Sequence, residues 1–350
     1  MHVLAPASKG LAPQDTIDGI SVHRFRYAPV SWQTLAYTGT MAEQVSHSLR
    51  GQIALAGMLL RGTMAVRRDV TTIAPDVVHA HWWFPGGVLA TGAPATLPIV
   101  TTLHGSDVRL ARRKSWAAPL FRRVITKSAA VTAVSGWLAD EARAMAPSLH
   151  AAVEPMPVNV ELFTPGGARH LSRFLFVGRL NAQKGIGVLL EALAAGTSGA
   201  SLDIVGDGPD RTSLEARAAA LGIGSRLAFH GPRSQEQLVS LYRAATAVII
   251  PSEDEGLGLV AVEAHLCEAP VIAFRSGGLT DIVSDGSSGL LTPPGDVRAL
   301  SAAMEGLLAR TDRGATFGRA GRVAALARFT PAVVAARYRA IYDRVASRAA

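Results

Sequence analysis

The sequence has very little cysteine, with only Cys267 among its 350 residues. A single thiol can form neither an internal disulfide nor a cysteine-rich metal site, which favours a reducing compartment. Long apolar runs are also missing, because the best candidate for a membrane span, residues 51–66, is interrupted by Arg61 and is shorter than about 20 residues. Residues 1–6 lack the basic start and the apolar stretch of a signal peptide. We therefore expect a cytoplasmic protein.

What the sequence does contain is hydrophobic and basic. Hydrophobic residues make up 49% of the chain, which favours helices packed on parallel sheets, and 350 residues suffice for about two domains. Lysine and arginine outnumber acidic residues by 35 to 27, giving a formal net charge of +8. This balance favours anionic partners such as polyphosphates or acidic lipids. Nucleic acid is not expected, because no nucleic-acid-binding motif accompanies the charge.

The order of β-like and helical patterns predicts two doubly wound α/β domains. The patterns alternate up to about residue 160 and restart after a proline- and glycine-rich stretch at 155–167. We therefore divide the chain into an N-terminal domain at 1–160, a second domain at 161–330 and a terminal helix at 331–350. Strands are predicted at 22–27, 76–81, 98–104, 131–135, 174–178, 202–206, 227–231, 247–250 and 270–274. Ligands of such sheets bind beyond the carboxyl ends of the strands.

One strand–turn–helix segment has the features of an anion-binding site. The apolar run at 247–250 ends at Pro251, a glycine-containing turn follows, and a helix begins near Gly258. The unpaired N–H groups and the positive dipole end of such a helix attract an anion. Glu255 lies in the turn and Glu263 about two helical turns further on, where carboxylates can accept hydrogen bonds from sugar hydroxyls. The segment predicts a ligand that is part phosphate and part sugar.

Two basic residues follow another predicted strand of the second domain. Arg179 offers a planar fork for phosphate oxygens, and Lys184 offers a mobile point charge. Together they could neutralise a diphosphate. A further glycine turn, with Gly206 and Gly208, follows the next predicted strand.

Three motifs resemble those of retaining glycosyltransferases of family 4. They are the spacing of seven residues between Glu255 and Glu263, the G-R-L-x-x-x-K-G pattern at 178–185 and the H-G-x-D turn at 104–107. The resemblance implies the GT-B fold, in which two Rossmann-like domains face a cleft and the last helix crosses back to the N-terminal domain. It also implies that a sugar moves from a nucleotide-diphosphate donor to an acceptor that is lipid-linked, a glycan or a small molecule.

The resemblance also assigns roles to residues. Arg179 and Lys184 would stabilise the departing diphosphate, and Glu255 would orient hydroxyls of the donor sugar. Glu263 would hold the ribose, while His104 would approach the sugar from the opposite domain. No covalent carboxylate intermediate, cofactor or metal is expected. The residues expected to form the donor site are Gly178, Gly206, Gly208, Gly256, Leu257, Gly258, Leu259 and Glu263.

The acceptor side of the cleft is marked less clearly. His79 and His81 form an H-x-H pattern, but no third ligand accompanies them in the sequence, so a metal site is not expected. His81 is interpreted either as a wall of the acceptor-side cleft or as part of the core. Asp107 of the H-G-x-D turn is placed on the acceptor side. Ser135 follows a predicted strand but lacks a nucleophile-elbow context, so Ser–His–Asp catalysis is not predicted.

Residues 109–127 form a strongly basic segment that also contains Trp116 and Phe121. Its charged residues are Arg109, Arg112, Arg113, Lys114, Arg122, Arg123 and Lys127. They form either an ordinary solvated helix face or a surface that lies against anionic lipid. The second interpretation makes the protein peripheral at the inner face of the membrane.

The start of the sequence departs from the family pattern. Residues 1–6 resemble the second strand of the N-terminal domain, so the family's first strand, glycine-rich loop and long helix are expected to be absent. Because that first strand is central, its loss would leave backbone groups of its neighbours unpaired. We expect a true start further upstream. The rival hypotheses are a catalytically silent nucleotide-sugar-binding or partner protein and a sugar-nucleotide epimerase on the same architecture.

Overall fold

The computed structural model describes residues 1–37, 41–196, 199–312 and 314–348, so residues 349–350 of the predicted terminal segment lie outside the described residues. The elements of the N-terminal half are β1 (His2–Pro6), β2 (Gln14–Ile17), β3 (Ile20–Phe25), α1 (Met41–His47), α2 (Leu49–Ile73), β4 (Val78–His81), α3 (Val88–Ala90), β5 (Ile99–Leu103), α4 (Ser106–Arg113), α5 (Ala117–Lys127), β6 (Ala130–Ala133), α6 (Gly136–Met145) and β7 (Ala151–Val153).

The elements of the C-terminal half alternate regularly before they end in three helices. They are β8 (Arg173–Val177), α7 (Ile186–Ala195), β9 (Ser201–Val205), α8 (Arg211–Ala220), β10 (Leu227–Gly231), α9 (Gln235–Ala244), β11 (Ala247–Ile250), α10 (Leu259–Leu266), β12 (Val271–Phe274), α11 (Leu279–Ile282), β13 (Gly289–Thr292), α12 (Val297–Ala309), α13 (Ala315–Phe329) and α14 (Pro331–Ala346).

The N-terminal strands form two separate sheets. β1 pairs in parallel with β3, and β3 also pairs antiparallel with β2. β4, β5, β6 and β7 form a second sheet in that order, and all its strands are parallel. Among the described residues no strand bridges β1 and β4, so this half has two sheets in place of one doubly wound sheet. The expected absence of the family's first strand stays a prediction.

The C-terminal half contains one parallel sheet of six strands, in the order β10-β9-β8-β11-β12-β13. The chain extends the sheet from β8 to β10 in one direction and from β11 to β13 in the other, as in a doubly wound fold. The order reverses between β8 and β11, which pair with each other. Because ligands of doubly wound sheets bind at this reversal, the loops that follow β8 and β11 are placed to form a site.

Helix α14 packs on the N-terminal half, as the resemblance implied. Its Ile341 and Val345 form an apolar cluster with Val100 of β5. The Tyr342 hydroxyl lies 2.7 Å from Nδ1 of His79 on β4. The last helix therefore covers one face of a sheet whose residues lie more than two hundred positions earlier in the chain.

The two halves also share an apolar core. Val108 belongs to the same cluster of buried residues as Leu257 and Leu279 of the C-terminal half.

Burial raises the pKa of Cys267 to about 12, so this cysteine is a packed thiol and not a reactive one. Within the described ranges, no helix combines the length and apolar character that crossing a lipid bilayer requires.

Candidate active site

Two loops at the reversal of strand order bring Lys184 and Glu255 into contact. The first loop follows β8 and contains a short 3₁₀ helix at Ala182–Lys184, and the second loop connects β11 to α10. The Lys184 Nζ lies 2.5 Å from Oε2 of Glu255, and the two side chains are 22% and 20% exposed. The cation expected to bind diphosphate and the acid expected to orient the sugar therefore share one site.

Open backbone N–H groups lie beside this ion pair. Helix α10 begins at Leu259, and Gly258 forms its N-cap in the left-handed conformation with φ of 92°. In the part of the chain that the structure describes, the N–H groups of Gly256, Leu257 and Gly258 donate no hydrogen bond. These N–H groups and the positive end of the helix dipole can therefore receive an anion.

Two glycines let backbone segments approach closely around the site. A Cβ atom at Gly256 would lie 2.4 Å from the carbonyl oxygen of His104, so a side chain there would push the two halves apart. Gly206 has φ of 127°, and its Cβ would lie 1.9 Å from the carbonyl oxygen of Gly178. Gly208 follows in the same turn. The glycines predicted for the donor site thus bring the turns after β8 and β9 together.

Arg179 extends from the same loop as Lys184 but points towards the N-terminal half. Its Nη2 lies 3.8 Å from Oε2 of Glu43 on α1, and both side chains are exposed. Exposed ion pairs of this kind contribute little free energy. A bound diphosphate can therefore attract the Arg179 guanidinium away from Glu43.

Glu263 is held by a tyrosine that sequence reasoning missed. Its carboxylate is buried on α10, and Oε2 accepts a hydrogen bond of 2.7 Å from the hydroxyl of Tyr242 on α9. Burial raises the pKa of Glu263, and the hydrogen bond from Tyr242 opposes that shift. Burial also raises the pKa of Tyr242, so its phenol keeps its proton and fixes the orientation of the carboxylate.

His104 lies in a stack of aromatic rings at the carboxyl ends of β4 and β5. Its Nε2 is 2.9 Å from Nδ1 of His81, and its ring centroid is 4.6 Å from that of Trp82. Burial, followed by the charge of His81, lowers the pKa of His104 to about 3, and burial also lowers the pKa of His81. Both rings are therefore neutral near pH 7, and one donates its N–H to the other. His81 is exposed, which excludes a place in the core, and its role as a wall of the acceptor-side cleft stays a prediction.

Asp107 does not line the cleft as the sequence predicted. It is buried, and its Oδ1 accepts hydrogen bonds from the N–H groups of His104 at 3.1 Å and Gly105 at 2.9 Å. Its Oδ2 accepts a third from the N–H of Trp83 at 3.0 Å. Burial raises the pKa of Asp107, while these hydrogen bonds lower it. The carboxylate therefore shapes the turn that carries His104.

Arg109 connects the two halves across the cleft, a role that sequence reasoning missed. Its Nη1 donates to Oε1 of Gln183 at 2.7 Å, and its Nη2 donates to the carbonyl oxygen of Asp254 at 2.9 Å. Arg112 lies 3.4 Å from the Asp254 carboxylate. Arg109 therefore does not belong to the free basic surface predicted at 109–127, whereas Arg112 stays exposed. Their i,i+3 spacing on α4 was the available signal, because it places both on one helix face.

The fold and the site together define a class of protein. Two α/β halves that enclose a cleft, with a helix start that has open N–H groups on one side and a histidine turn on the other, have the architecture of GT-B glycosyltransferases. A family model described as Glycosyltransferase Family 4 matches residues 1–162, and another described as Glycosyl transferases group 1 matches residues 170–324. The chain belongs to this glycosyltransferase family, so the family resemblance and the GT-B fold that the sequence predicts are confirmed.

Curated relatives match most of the chain but extend beyond it. The D-inositol 3-phosphate glycosyltransferase of Geodermatophilus obscurus is 34% identical over 300 residues, which cover 75% of this chain and 66% of the relative. The protein of the same name from Mycolicibacterium smegmatis is 36% identical over 271 residues, which cover 67% of this chain and 61% of the relative. The chain thus spans about two thirds or less of these relatives' length.

Solved structures support the fold. Sucrose-phosphate synthase from Thermosynechococcus elongatus has a TM-score of 0.81 at 22% identity and covers 98% of this chain and 88% of its own. Anabaena HepE, solved with UDP and glucose, has a TM-score of 0.70 at 21% identity and covers 93% of this chain and 86% of its own.

Proposed function

We propose that the protein is a retaining glycosyltransferase that moves a sugar from a nucleotide-diphosphate donor to an acceptor hydroxyl. The observation that carries the proposal is the contact between Lys184 and Glu255 at 2.5 Å, beside the open N–H groups of residues 256–258. A cation, a carboxylate and a helix start at one place suit a ligand that joins a diphosphate to a sugar. The backbone carbonyl of His104 borders the same turn from the other half, and the imidazole of this residue is neutral.

The cleft would act on the leaving group by electrostatic stabilisation. Negative charge develops on the diphosphate as the bond to the sugar breaks, and fixed donors near that charge lower the barrier. Lys184 and the N–H groups of residues 256–258 supply such donors, and Arg179 adds a bidentate fork once the diphosphate displaces Glu43. Glu255, released from Lys184, would accept hydrogen bonds from the sugar.

Glu263 and His104 would position the remaining parts of the donor. Glu263 is ionisable, buried and oriented by Tyr242, so its carboxylate suits the paired hydroxyls of a ribose. His104 is held by His81 and by the turn that Asp107 shapes. The acceptor would enter on the face of the leaving group, without a covalent carboxylate intermediate, and no metal or cofactor would take part.

The test is turnover with UDP-activated sugars, since Anabaena HepE was solved with UDP and glucose. Release of nucleoside diphosphate is measured with and without inositol 3-phosphate, the acceptor that the relatives' name suggests. We expect slow donor hydrolysis alone and faster release with a suitable acceptor. The anomeric configuration of the product, read by NMR, should match that of the donor. An inverted product contradicts retention, and binding without release supports the silent protein.

We also propose that the exposed basic residues of the 109–127 segment, which do not include the part-buried Arg109, lie against anionic lipid. Trp116 is 55% exposed, and the exposed Arg122 and Arg123 follow it on α5. The chain should sediment with vesicles that contain anionic lipid and not with neutral vesicles. An Arg122→Ala/Arg123→Ala variant should lose this binding, whereas a matched loss of other exposed arginines should not. Equal binding to both vesicle types contradicts the proposal.

A further inference from the structure

Two histidines and an aspartate meet on the N-terminal half, outside the cleft. His2 lies on β1, His23 lies on β3 and Asp69 lies on α2. In the parallel register of the two strands, His2 is opposite Ser21 and Leu4 is opposite His23. Because side chains alternate along a strand, this register puts both histidines on the face that α2 covers. The members of this cluster are far apart in the chain, so no sequence pattern links them.

The ligand atoms have the spacing of a small metal site. Oδ2 of Asp69 lies 2.7 Å from Nδ1 of His23 and 3.6 Å from Nε2 of His2. One nitrogen or oxygen atom of each residue lies within 4.8 Å of the others. Bonds of about 2.0–2.1 Å to a tetrahedral zinc ion place ligand atoms roughly 3.3 Å apart. The three side chains therefore need only small shifts to coordinate one ion.

The hydrogen bonding of the cluster is incomplete without a further partner. Nε2 of His2 is buried and has no hydrogen-bond partner among the described residues. A buried nitrogen of this kind costs free energy unless it is satisfied. The Oδ2 atom of Asp69 lies within 3.6 Å of a ring nitrogen of each histidine, so the carboxylate already faces both rings.

Arg68 is the charged group that faces the cluster. Its guanidinium donates two hydrogen bonds to Oδ1 of Asp69, at 2.8 and 3.0 Å, and leaves Oδ2 towards the histidines. Such hydrogen bonds commonly orient a ligating carboxylate. Nη2 of Arg68 also lies about 3 Å from both ring nitrogens of His23, where it would repel a cation. Because the Arg68 side chain is 62% exposed, it can swing away at little cost.

We propose that His2, His23 and Asp69 bind a divalent transition-metal ion, best represented by Zn²⁺, with water in the fourth position. Two imidazoles and one carboxylate suit zinc and its neighbours, whereas magnesium and calcium prefer oxygen ligands. The ion would join β1, β3 and α2, and so would stabilise the smaller N-terminal sheet. This role is independent of the proposed sugar transfer.

The experiment titrates the metal-free 350-residue chain with Zn²⁺ in a calorimeter and with Co²⁺ under visible absorption. We expect one equivalent of Zn²⁺ to bind, tetrahedral Co²⁺ bands to appear and the thermal midpoint to rise with Zn²⁺. His2→Ala and His23→Ala should each weaken binding by at least about tenfold. His150→Ala is the matched control, because His150 is an exposed histidine far along the chain, and it should bind like the parent.

Several outcomes overturn the proposal. The proposal is wrong if the chain shows no saturable binding of Zn²⁺. It is also wrong if His2→Ala and His23→Ala leave the binding of Zn²⁺ unchanged. Binding that is lost in His104→Ala and kept in His2→Ala would place the ion in the cleft instead. His2→Ala keeps the test informative even if His23→Ala fails to fold, because His2 makes no hydrogen bond through its buried nitrogen.

Discussion

Replacing Lys184 with alanine tests the centre of the proposed mechanism. The Nζ atom is 2.5 Å from Glu255 and can move to a diphosphate oxygen by rotation of its own side chain. A unit charge about 4 Å from a developing negative charge contributes about 4 kcal/mol at an effective dielectric constant of about 20. Removal of a single donor from an oxyanion site costs about 2.7–4 kcal/mol, or a factor of about 100 to 1000 in turnover. We expect Lys184→Ala to lose turnover on that scale.

The loss should come from the chemical step and not from unfolding. The Lys184–Glu255 pair is only one-fifth exposed but still reaches solvent, so we expect the free energy of unfolding to fall by less than about 1 kcal/mol. The assay measures release of nucleoside diphosphate, from which kcat and KM are separated, with urea unfolding alongside. Lys9→Ala, at an exposed lysine, is the control and should behave like the parent. Turnover of Lys184→Ala within twofold of the parent would refute the role of this lysine.

Three further predictions follow from the site. Glu263→Gln should weaken binding of nucleoside diphosphate by about tenfold, because a charged acceptor for the ribose is lost, and calorimetry measures this. Arg109→Ala should lower kcat/KM by about tenfold, since two hydrogen bonds between the halves are lost, whereas the exposed Arg113→Ala on the same helix should not. Burial lowers the pKa of His79 from 6.5 to about 3. Below pH 6.5 the unfolded chain therefore binds a proton that the folded chain does not, and the free energy of unfolding falls as the pH falls. His79→Gln should therefore reduce the slope of unfolding free energy against pH by about 1.4 kcal/mol per unit between those values, as denaturant titrations at several pH values can show.

Each of these predictions has an outcome that contradicts it. Unaltered nucleotide affinity in Glu263→Gln would remove the ribose role. Equal losses in Arg109→Ala and Arg113→Ala would show that helix α4 is sensitive to any change of charge. An unchanged slope in His79→Gln would mean that the imidazole of His79 keeps an ordinary pKa when the chain folds.

The parts of the site that sequence reasoning predicted depend on neighbours in the chain. Lys184, Glu255 and Gly258 follow short apolar runs that predict buried strands, and a doubly wound sheet brings the ends of such strands to one edge. His104 lies at the end of a predicted strand of the N-terminal domain, so its place at an edge of that sheet was also predictable. The start of α10 was predicted within one residue, because Gly258 both ends the turn and precedes the apolar helix.

The parts that sequence reasoning missed depend on contacts between distant segments. The H-G-x-D pattern alone predicts that Asp107 lines the cleft. It does not show that the carboxylate accepts hydrogen bonds from the backbone N–H groups of its own turn. Arg109 was assigned to a basic surface because its acceptors lie on the other half of the molecule. Tyr242 is 21 residues from Glu263, and no local periodicity links the two. Charge and spacing predict which residues are chemically able to act, and packing decides where they point.

The contact of α14 with the N-terminal sheet constrains how the chain can be made. Val100 and His79 meet Ile341 and Tyr342 only after nearly the whole chain has been synthesised. Domains commonly fold in order as they leave the ribosome, but here one face of the first half stays uncovered until residues 331–346 emerge. During translation this half therefore exposes the apolar surface around Val100 until helix α14 has been synthesised.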